Sequence, residues 1–243
     1  MTRRRWIADT WNNERTTASL IGDQAQHLAR VLRAEPGQIF DVVAGGFLHS
    51  AEIATVSENE VVFTLHEEME AGSALPIHLL MAVYKFDHME WAIEKTTELG
   101  VTAITPILAR RTEKHLSLAS AKRVERWRRI AREASQQSRR TDVPTINDPI
   151  KLQSALQSET ATLRILLAET EQENSLLAAL QSARGNNTAS NIAIAIGPEG
   201  GWTPEEMSLF TQHQWQHVTL GQRILRAETA AIAALSIATA LIA

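Results

Sequence analysis

Several absences constrain the sequence before any motif is considered. There is no cysteine among its 243 residues, which fits a reducing compartment and a core that needs no disulfides. The first residues, MTRRRWIADTW, are positively charged but lack the apolar segment of a secretory signal, so we expect a cytoplasmic protein without a signal peptide. The most apolar stretch, residues 230–243, is shorter than the roughly 20 residues of a membrane span and predicts a buried helix.

The sequence also lacks the common phosphate-binding motifs. It has neither the lysine of a phosphate-binding loop nor the GxGxxG spacing of a dinucleotide fold. These absences argue against a kinase or a dehydrogenase, although such a nucleotide-binding α/β enzyme stays an alternative that protection by ATP or NAD in a thermal-shift screen would support.

The distribution of charge matters more than the total. A net charge of −4 argues by itself against a nucleic-acid binder. Residues 110–140, however, hold eleven Lys and Arg against three Glu, a local charge of +8. Such an excess of one sign is typical of a surface that binds a polyanion. The alternative is an ordinary solvated helix face, which accounts for most charged runs.

The N-terminal part is β-rich. Short apolar runs separated by turn residues predict a small barrel over residues 1–72, followed by a linker before residue 77. One helix is predicted over residues 23–33, with Asp23 as its cap. Its apolar side chains, Leu28, Val31 and Leu32, should face the core, which would leave His27, Arg30 and Arg33 facing outward.

From residue 77 to 243 the pattern alternates between strands and helices. This alternation predicts an α/β domain with a mostly parallel sheet and helices on both faces. Asp87 and Glu90 predict a capped helix after the first strand, and residues 120–140 predict the basic helix. The apolar stripe of the basic helix comprises Val124, Trp127, Ile130, Ala131 and Ala134.

One glycine-rich turn carries an acid. In IGPEGGWTPEE, residues 196–206, a buried strand ends at Ile196, and Thr203 with Glu206 forms a capping box that starts a helix. Glu199 would repel a pyrophosphate but would tolerate a ribose hydroxyl or a cation. The turn therefore favours a positively charged nucleoside as ligand. The alternative is a tight turn in which Glu199 is merely solvated.

A second turn repeats this arrangement. In LGQRILRAETAAIAAL, residues 220–235, a strand ends at Gly221, and Arg223, Arg226 and Glu228 lead into an alanine-rich helix. Two such turns can close on one ligand. For Arg226 and Glu228, the alternative is a local surface ion pair.

Together these motifs resemble a known family. IGPEGGWTPEE, LGQRILRAETA, KTTELGV, REASQQSRR and HLARVLR together resemble the RsmE-type ribosomal RNA methyltransferases of the SPOUT superfamily. The first two motifs are long and specific, whereas HLARVLR alone would be weak. The resemblance implies an N-terminal PUA-like β-barrel and a C-terminal α/β domain with a trefoil knot. It also implies S-adenosyl-L-methionine as cofactor, a homodimer, and N3 of a uridine in 16S ribosomal RNA of the small subunit as the methylated atom. No metal is implied.

The resemblance places the cofactor on three loops. From the chemistry of methyl transfer, we expect Arg226 to stabilise the anion that forms on the uridine ring. Glu228 is a candidate base; the alternative is that it only orients Arg226. The cofactor-binding residues would be Leu167, Ala168, Glu169, Ile196, Gly197, Pro198, Glu199, Gly200, Leu220, Gly221, Arg223, Ile224, Leu225 and Thr229.

RNA would be held by positive side chains on phosphates. The candidates are Arg3, Arg4, Arg5, His27, Arg30, Arg33, Arg126, Arg129, Arg132, Arg139 and Arg140. One departure from the family pattern lies in the N-terminal domain, where the family often has Phe-Asp-Gly and this chain has Val43, Ala44 and Gly45. The role of that aspartate is therefore absent here or taken by Asp41. A nonenzymatic RNA-binding protein is the remaining alternative, which a failure to bind S-adenosyl-L-methionine would support.

Overall fold

The chain divides into two compact units. The computed structural model describes residues 5–70, 76–185 and 190–242. The first unit comprises Met1–Ser73 together with Ser135–Val143, and the second comprises Ala74–Ala134 together with Pro144–Ala243. Local sequence patterns do not indicate that residues 135–143 belong with the first unit. Arg3 and Arg4, two of the predicted RNA contacts, lie outside the described residues.

The first unit is built on a six-stranded sheet in the order β1-β4-β5-β6-β3-β2. Only β1 and β4 pair in parallel among the described strands of this unit; the other neighbours are antiparallel. Alternating buried side chains such as Leu20, Ile53 and Phe63 form its core with Trp6. The strands are β1 (Trp6–Ile7), β2 (Thr10–Trp11), β3 (Thr17–Ile21), β4 (Ile39–Ala44), β5 (Phe47–Val56) and β6 (Glu60–Met69).

The observed helix of this unit differs in two respects from the helix predicted over residues 23–33. Helix α1 (Asp23–Gln26) begins after Gly22, so Asp23 is not its cap, and it continues as a π-helical turn over His27–Val31. Leu28 is buried as predicted, but Val31 and Leu32 are 65% and 52% exposed. A π turn advances by a different angle per residue than an α-helix, so the α-helical spacing assigned the wrong side to these two residues.

The second unit is built on a seven-stranded sheet whose observed pairings are all parallel, which confirms the predicted α/β class. The order is β10-β8-β7-β12-β11-β13, with β9 beside β8. The strands are β7 (Ile77–Ala82), β8 (Ala103–Leu108), β9 (Thr145–Ile146), β10 (Ile150–Lys151), β11 (Leu163–Leu167), β12 (Ile192–Ile196) and β13 (Gln216–Val218).

Seven α-helices join the strands of the second unit within the described residues. Their positions follow the predicted alternation, except that α3 and α5 had no sequence signal of their own. They are α2 (Phe86–Glu98), α3 (Lys114–Ser120), α4 (Val124–Gln137), α5 (Leu152–Ser158), α6 (Leu176–Gly185), α7 (Pro204–Gln212) and α8 (Ala227–Ile242). A short 3-10 turn, Ala121–Arg123, joins α3 to α4. The trefoil knot stays a prediction of the family resemblance.

Local signals explain most helix positions. Every residue of β12 is buried, as its apolar run predicts. The Thr203 capping box is present, since its side chain accepts from the Glu206 backbone while Glu206 accepts from the Thr203 backbone. The cap predicted at Asp87 is wrong: α2 begins one residue earlier, with Lys85 at the cap position and Asp87 in the first turn.

Packing confirms the apolar faces of the two long helices. In α4 the side chains of Val124, Trp127, Ala131 and Ala134 are buried, whereas Ile130 is half-buried. Helix α8 packs against α2 and α6. In the part of the chain that is described, no helix is long and apolar enough to cross a membrane.

Candidate functional site

A cavity of about 640 Å³ opens at the carboxyl ends of four strands of the second unit. These strands, β7, β12, β11 and β13, are consecutive neighbours in the sheet, and because they are parallel their ends meet at one edge. The volume lies within the range of roughly 300–1,000 Å³ that small-molecule sites occupy. The cavity therefore has the position and the size expected for a ligand site.

Thirteen of the fourteen predicted cofactor residues line this cavity; Thr229 does not. They come from the three loops after β11, β12 and β13, which the sequence separates and the sheet order brings together. The lining ones are Leu167, Ala168, Glu169, Ile196, Gly197, Pro198, Glu199, Gly200, Leu220, Gly221, Arg223, Ile224 and Leu225.

The turn after β12 is held from the neighbouring segment after β8. Arg111 Nη1 donates to the Gly200 carbonyl at 2.6 Å. The buried Glu206 carboxylate accepts from the Arg110 backbone N–H at 2.8 Å, as well as closing the capping box. Gly201 has φ +68°, which glycine adopts without the strain that a side chain would bring. Two hydrogen bonds from the segment after β8 thus hold this turn and the start of α7.

Trp202 packs over the start of the same turn. A Cβ added at Gly197 would lie 3.1 Å from Trp202 Nε1, closer than side chains normally approach. The indole also packs edge-to-face on Phe210, with ring centroids 4.9 Å apart. Its Nε1–H is buried and has no hydrogen-bond acceptor among the described residues. Trp202 lines the cavity, so this donor lies beside the ligand space.

The loop after β13 supplies the most accessible wall. Gly221 has φ +115°, and its N–H donates to Thr219 Oγ1 at 3.1 Å. Ile224 is 79% exposed, an unusual exposure for a large apolar side chain. Arg226 lines the cavity and is exposed, so its guanidinium is available to a bound substrate.

Glu228, the other residue assigned to the chemistry, lies behind the cavity wall. Its side chain is only 4% exposed and faces His88, whose Nδ1 is 3.4 Å from Glu228 Oε1. The nearby Tyr84 is buried, and its pKa is raised above the ordinary value by burial and then by the negative charges of Glu228 and Glu199. Tyr84 therefore stays protonated at any physiological pH.

Sequence reasoning missed three titratable residues that line the cavity: Lys85, His88 and Arg111. Their positions carried a usable signal, since each follows the carboxyl end of a predicted strand, β7 or β8. Residues 5–70, 76–185 and 190–242 contain no group of three or more His, Cys, Asp and Glu placed to hold a metal ion.

The predicted RNA contacts of the first unit are differently exposed. Arg30 is exposed and pairs with Glu58, and Arg33 is exposed with φ +49°. His27 is half-buried beside Trp6, with ring centroids 6.0 Å apart.

The half-buried Arg5 donates to the Arg139 carbonyl, and burial lowers the pKa of Arg5. Arg139 is exposed, whereas Arg140 is buried and paired with Asp142, with Arg140 Nε 3.1 Å from Asp142 Oδ1.

The basic helix α4 presents its arginines less uniformly than its spacing suggests. Arg129 is exposed and Arg132 half-buried. Arg126 is exposed, but its Nε donates to Glu90 Oε1 on α2 at 2.8 Å. Arg128 pairs with Glu125 and Asp148. Part of the local positive charge is thus neutralised by neighbouring carboxylates.

Comparison with protein families agrees with this architecture. A family model described as "RNA methyltransferase domain" matches residues 71–239, and one described as "RNA methyltransferase PUA domain" matches residues 20–65. The fold and the cavity together therefore define the class: RNA methyltransferases that carry an N-terminal PUA domain.

Individual relatives identify the family within this class of RNA methyltransferases. The chain is 34% identical over 229 residues to the ribosomal RNA small subunit methyltransferase E of Bacillus subtilis, covering 92% of this chain and 90% of that protein. It is 35% identical over 230 residues to the protein of the same name from Synechocystis, covering 93% and 74%. A crystal structure of the enzyme from Neisseria gonorrhoeae bound to S-adenosyl methionine has TM-score 0.83 and 29% identity over 96% of this chain and 95% of that one. The chain belongs to the ribosomal RNA small subunit methyltransferase E family, which confirms the resemblance inferred from its motifs.

Proposed function

We propose that this protein transfers the methyl group of S-adenosyl-L-methionine to N3 of a uridine in 16S ribosomal RNA of the small ribosomal subunit. The observation that carries the proposal is the convergence of thirteen predicted cofactor residues on one cavity of nucleoside size. The Neisseria relative, whose structure holds S-adenosyl methionine, supports the choice of cofactor. The names of the relatives support the choice of substrate.

The residues of the cavity fit this cofactor. Leu167, Ile196 and Leu225 provide apolar walls for a base. Glu169 and Glu199 are exposed carboxylates that can accept from ribose hydroxyls and attract a positive sulfonium. When bound, the cofactor supplies a methyl group on a positively charged sulfur.

Arg226 is the residue that we assign to the reacting base. N3 of uridine is weakly acidic and carries negative charge once its proton has gone. Arg226 lines the cavity and its side chain is exposed, so its guanidinium can reach a bound base and stabilise that charge where it develops. The loops also align sulfur, methyl carbon and nitrogen for an in-line displacement.

RNA binding is assigned to exposed arginines of both units. Arg30 lies in the π-helical turn of the PUA domain, Arg33 follows that turn, and Arg129 lies on the exposed side of α4. Arg126, Arg132, Arg139, Arg5 and His27 have partial exposure or partners that RNA phosphates can replace. Arg140 is left out of the proposed surface because it is buried and paired with Asp142.

The assembly and the location follow from the same proposal. We assign a homodimer with the knotted domain at its two-fold interface, and the cytoplasm, where ribosomal subunits are assembled. Sedimentation at micromolar concentration should give a dimer, and a monomer would contradict the assembly.

The decisive experiment is mass spectrometry of 16S ribosomal RNA from a strain that lacks the gene. Loss of one N3-methyluridine, restored by the wild-type gene but not by an Arg226→Ala variant, is the expected result. An unchanged modification profile would overturn the proposal. If the purified protein binds RNA but S-adenosyl-L-methionine gives no heat in calorimetry, a nonenzymatic RNA-binding role is the correct description.

A further inference from the structure

The imidazole of His88 lies between a buried carboxylate and the cavity. Its Nδ1 is buried and lies 3.4 Å from Glu228 Oε1. The side chain as a whole is 30% exposed and lines the cavity, so its accessible part is the edge that carries Nε2. Nδ1 therefore faces the buried carboxylate of Glu228, whereas Nε2 lies at the exposed edge of the ring, near the solvated carboxylate of Asp87.

Glu228 itself is badly placed to take a proton from a substrate. Its side chain is 4% exposed, and it is not part of the cavity wall. Its Oε2 is buried without a hydrogen-bond donor among the described residues. A general base must come within hydrogen-bond reach of the proton that it removes, and here His88 stands between Glu228 and the ligand space. Glu228 therefore acts through His88.

The charges around His88 favour one tautomer. The carboxylate of Glu228 attracts a proton to Nδ1, which leaves the lone pair of Nε2 directed to the cavity. When Nε2 gains a proton, the same carboxylate stabilises the imidazolium. Asp87 Oδ2 lies 3.8 Å from Nε2, but its side chain is 77% exposed, so solvent weakens its attraction for a proton relative to that of the buried Glu228. Tyr84 is kept protonated by burial and by the charge of Glu228. The other charged groups of the cavity are Lys85, Arg111, Glu169, Glu199, Arg223 and Arg226.

We propose that His88 is the proton acceptor in the methyl transfer, an inference that rests on the proposed function. Nε2 removes the proton from N3 of the uridine. The electron pair left on N3 forms the bond to the methyl carbon, while the carbon–sulfur bond breaks and its electron pair goes to sulfur, which becomes a neutral thioether. The imidazolium then releases its proton to water. Imidazole is a stronger base than a carboxylate, so it matches the weakly acidic N3–H better than Glu169 or Glu199.

The rate test compares His88→Gln with a matched control, His115→Gln. His115 also lies 3.4 Å from a carboxylate, that of Glu113, but it is outside the cavity and its side chain is 73% exposed. In single-turnover assays on a 16S RNA fragment, His88→Gln should be about 100-fold slower or more, whereas the control keeps the wild-type rate. Calorimetry should give both variants the wild-type affinity for S-adenosyl-L-methionine. A wild-type rate for His88→Gln overturns the inference.

A substrate substitution separates proton removal from a structural role. An RNA with 5-fluorouridine at the target has a more acidic N3–H, so its methylation depends less on a base. The deficit of His88→Gln relative to wild type should therefore shrink at least tenfold on this RNA. An equal deficit on both RNAs, or loss of cofactor affinity, would show that His88 only supports the cavity. If circular dichroism shows that His88→Gln does not fold, His88→Asn replaces it, since its amide also offers a donor toward Glu228.

A third experiment determines the tautomer of His88 and needs neither cofactor nor RNA. Nitrogen-15 NMR of the free, full-length protein should show the neutral His88 ring protonated on Nδ1, and Glu228→Gln should disturb this tautomer. A ring protonated on Nε2 overturns the inference. If the wild-type enzyme forms no N3-methyluridine, the proposed function fails, and the NMR result still decides whether His88 presents a free nitrogen to the cavity.

Discussion

Arg111 and Gly200, 89 positions apart in sequence, are joined by a 2.6 Å hydrogen bond from the Arg111 guanidinium to the Gly200 carbonyl. This bond ties the segment after β8 to the glycine turn after β12. Because the turn forms one wall of the cavity, the bond holds the ligand-binding backbone in place before any ligand arrives.

Removal of this bond should weaken cofactor binding. The bond is exposed to solvent, so we expect Arg111→Ala to cost about 0.5–1.5 kcal/mol of binding free energy, or about a twofold to thirteenfold loss of affinity for S-adenosyl-L-methionine. Isothermal titration calorimetry measures it. Arg110→Ala is the matched control, because Arg110 contacts Glu206 through its backbone N–H and that contact survives the substitution. Equal affinities of the two variants for S-adenosyl-L-methionine would show that the Arg111 side chain does not contribute to cofactor binding.

Gly197 should tolerate a methyl group less well than Gly200. A Cβ at Gly197 would lie 3.1 Å from Trp202 Nε1, whereas one at Gly200 would meet only the flexible Arg111 side chain at 3.4 Å. Gly197→Ala should therefore displace Trp202 and lower cofactor affinity by about tenfold, while Gly200→Ala changes it little. Tryptophan fluorescence and calorimetry test both points. The prediction fails if Gly200→Ala proves the more damaging of the two.

The buried carboxylate of Glu159 should make the stability of the protein depend on pH. Burial opposes ionisation of Glu159, but hydrogen bonds from His78, at 2.7 Å, and from the Ala161 N–H outweigh it and hold its pKa below the ordinary value. A depressed folded-state pKa means that the contribution is present above the ordinary value of 4.5 and is lost as the pH falls through the folded-state pKa.

Glu159→Gln tests this dependence. The variant should lose about 1–3 kcal/mol of unfolding free energy at pH 7 and should show a flatter fall in melting temperature below pH 4.5. Glu133→Gln, on the exposed side of α4, is the control and should follow the wild-type curve. If the melting temperatures of the wild type and of Glu159→Gln fall in parallel below pH 4.5, the contact between His78 and Glu159 does not contribute to the pH dependence of stability.

The arginines of α4 should contribute to RNA affinity through charge. A triple variant with Arg126, Arg129 and Arg132 changed to Gln should bind the 16S fragment more weakly, and the slope of log affinity against log salt should fall by about one for each phosphate that the variant no longer neutralises. Cofactor affinity should not change, since none of the three lines the cavity. Arg184→Gln, exposed on α6, controls for total charge. A wild-type salt slope in the triple variant would identify the α4 face as merely solvated.

Local signals in the sequence were sufficient wherever a short segment determines its own structure. The buried run of β12, the capping box at Thr203 and the apolar stripe of α4 depend on neighbours within a few residues, and each was predicted. Arg111 and His88 were missed because their partners, Gly200 and Glu228, lie on elements that only the sheet order brings near.

The π-helical turn shows the other limit of sequence patterns. Val31 and Leu32 fit an α-helical stripe, but the turn rotates them to the exposed side. A pattern of apolar residues assumes a fixed angle per residue, so it cannot register a local change of helix type.

The discontinuous first unit affects the order of events during translation. Because this unit includes Ser135–Val143 as well as Met1–Ser73, it cannot be completed until about 70 further residues have been added. At roughly 5–20 residues per second, the nascent chain waits about 4–14 s with the first unit unfinished. A truncation that ends at residue 73 therefore yields an incomplete domain, and a fragment meant to isolate the PUA unit has to carry residues 135–143 through a designed linker.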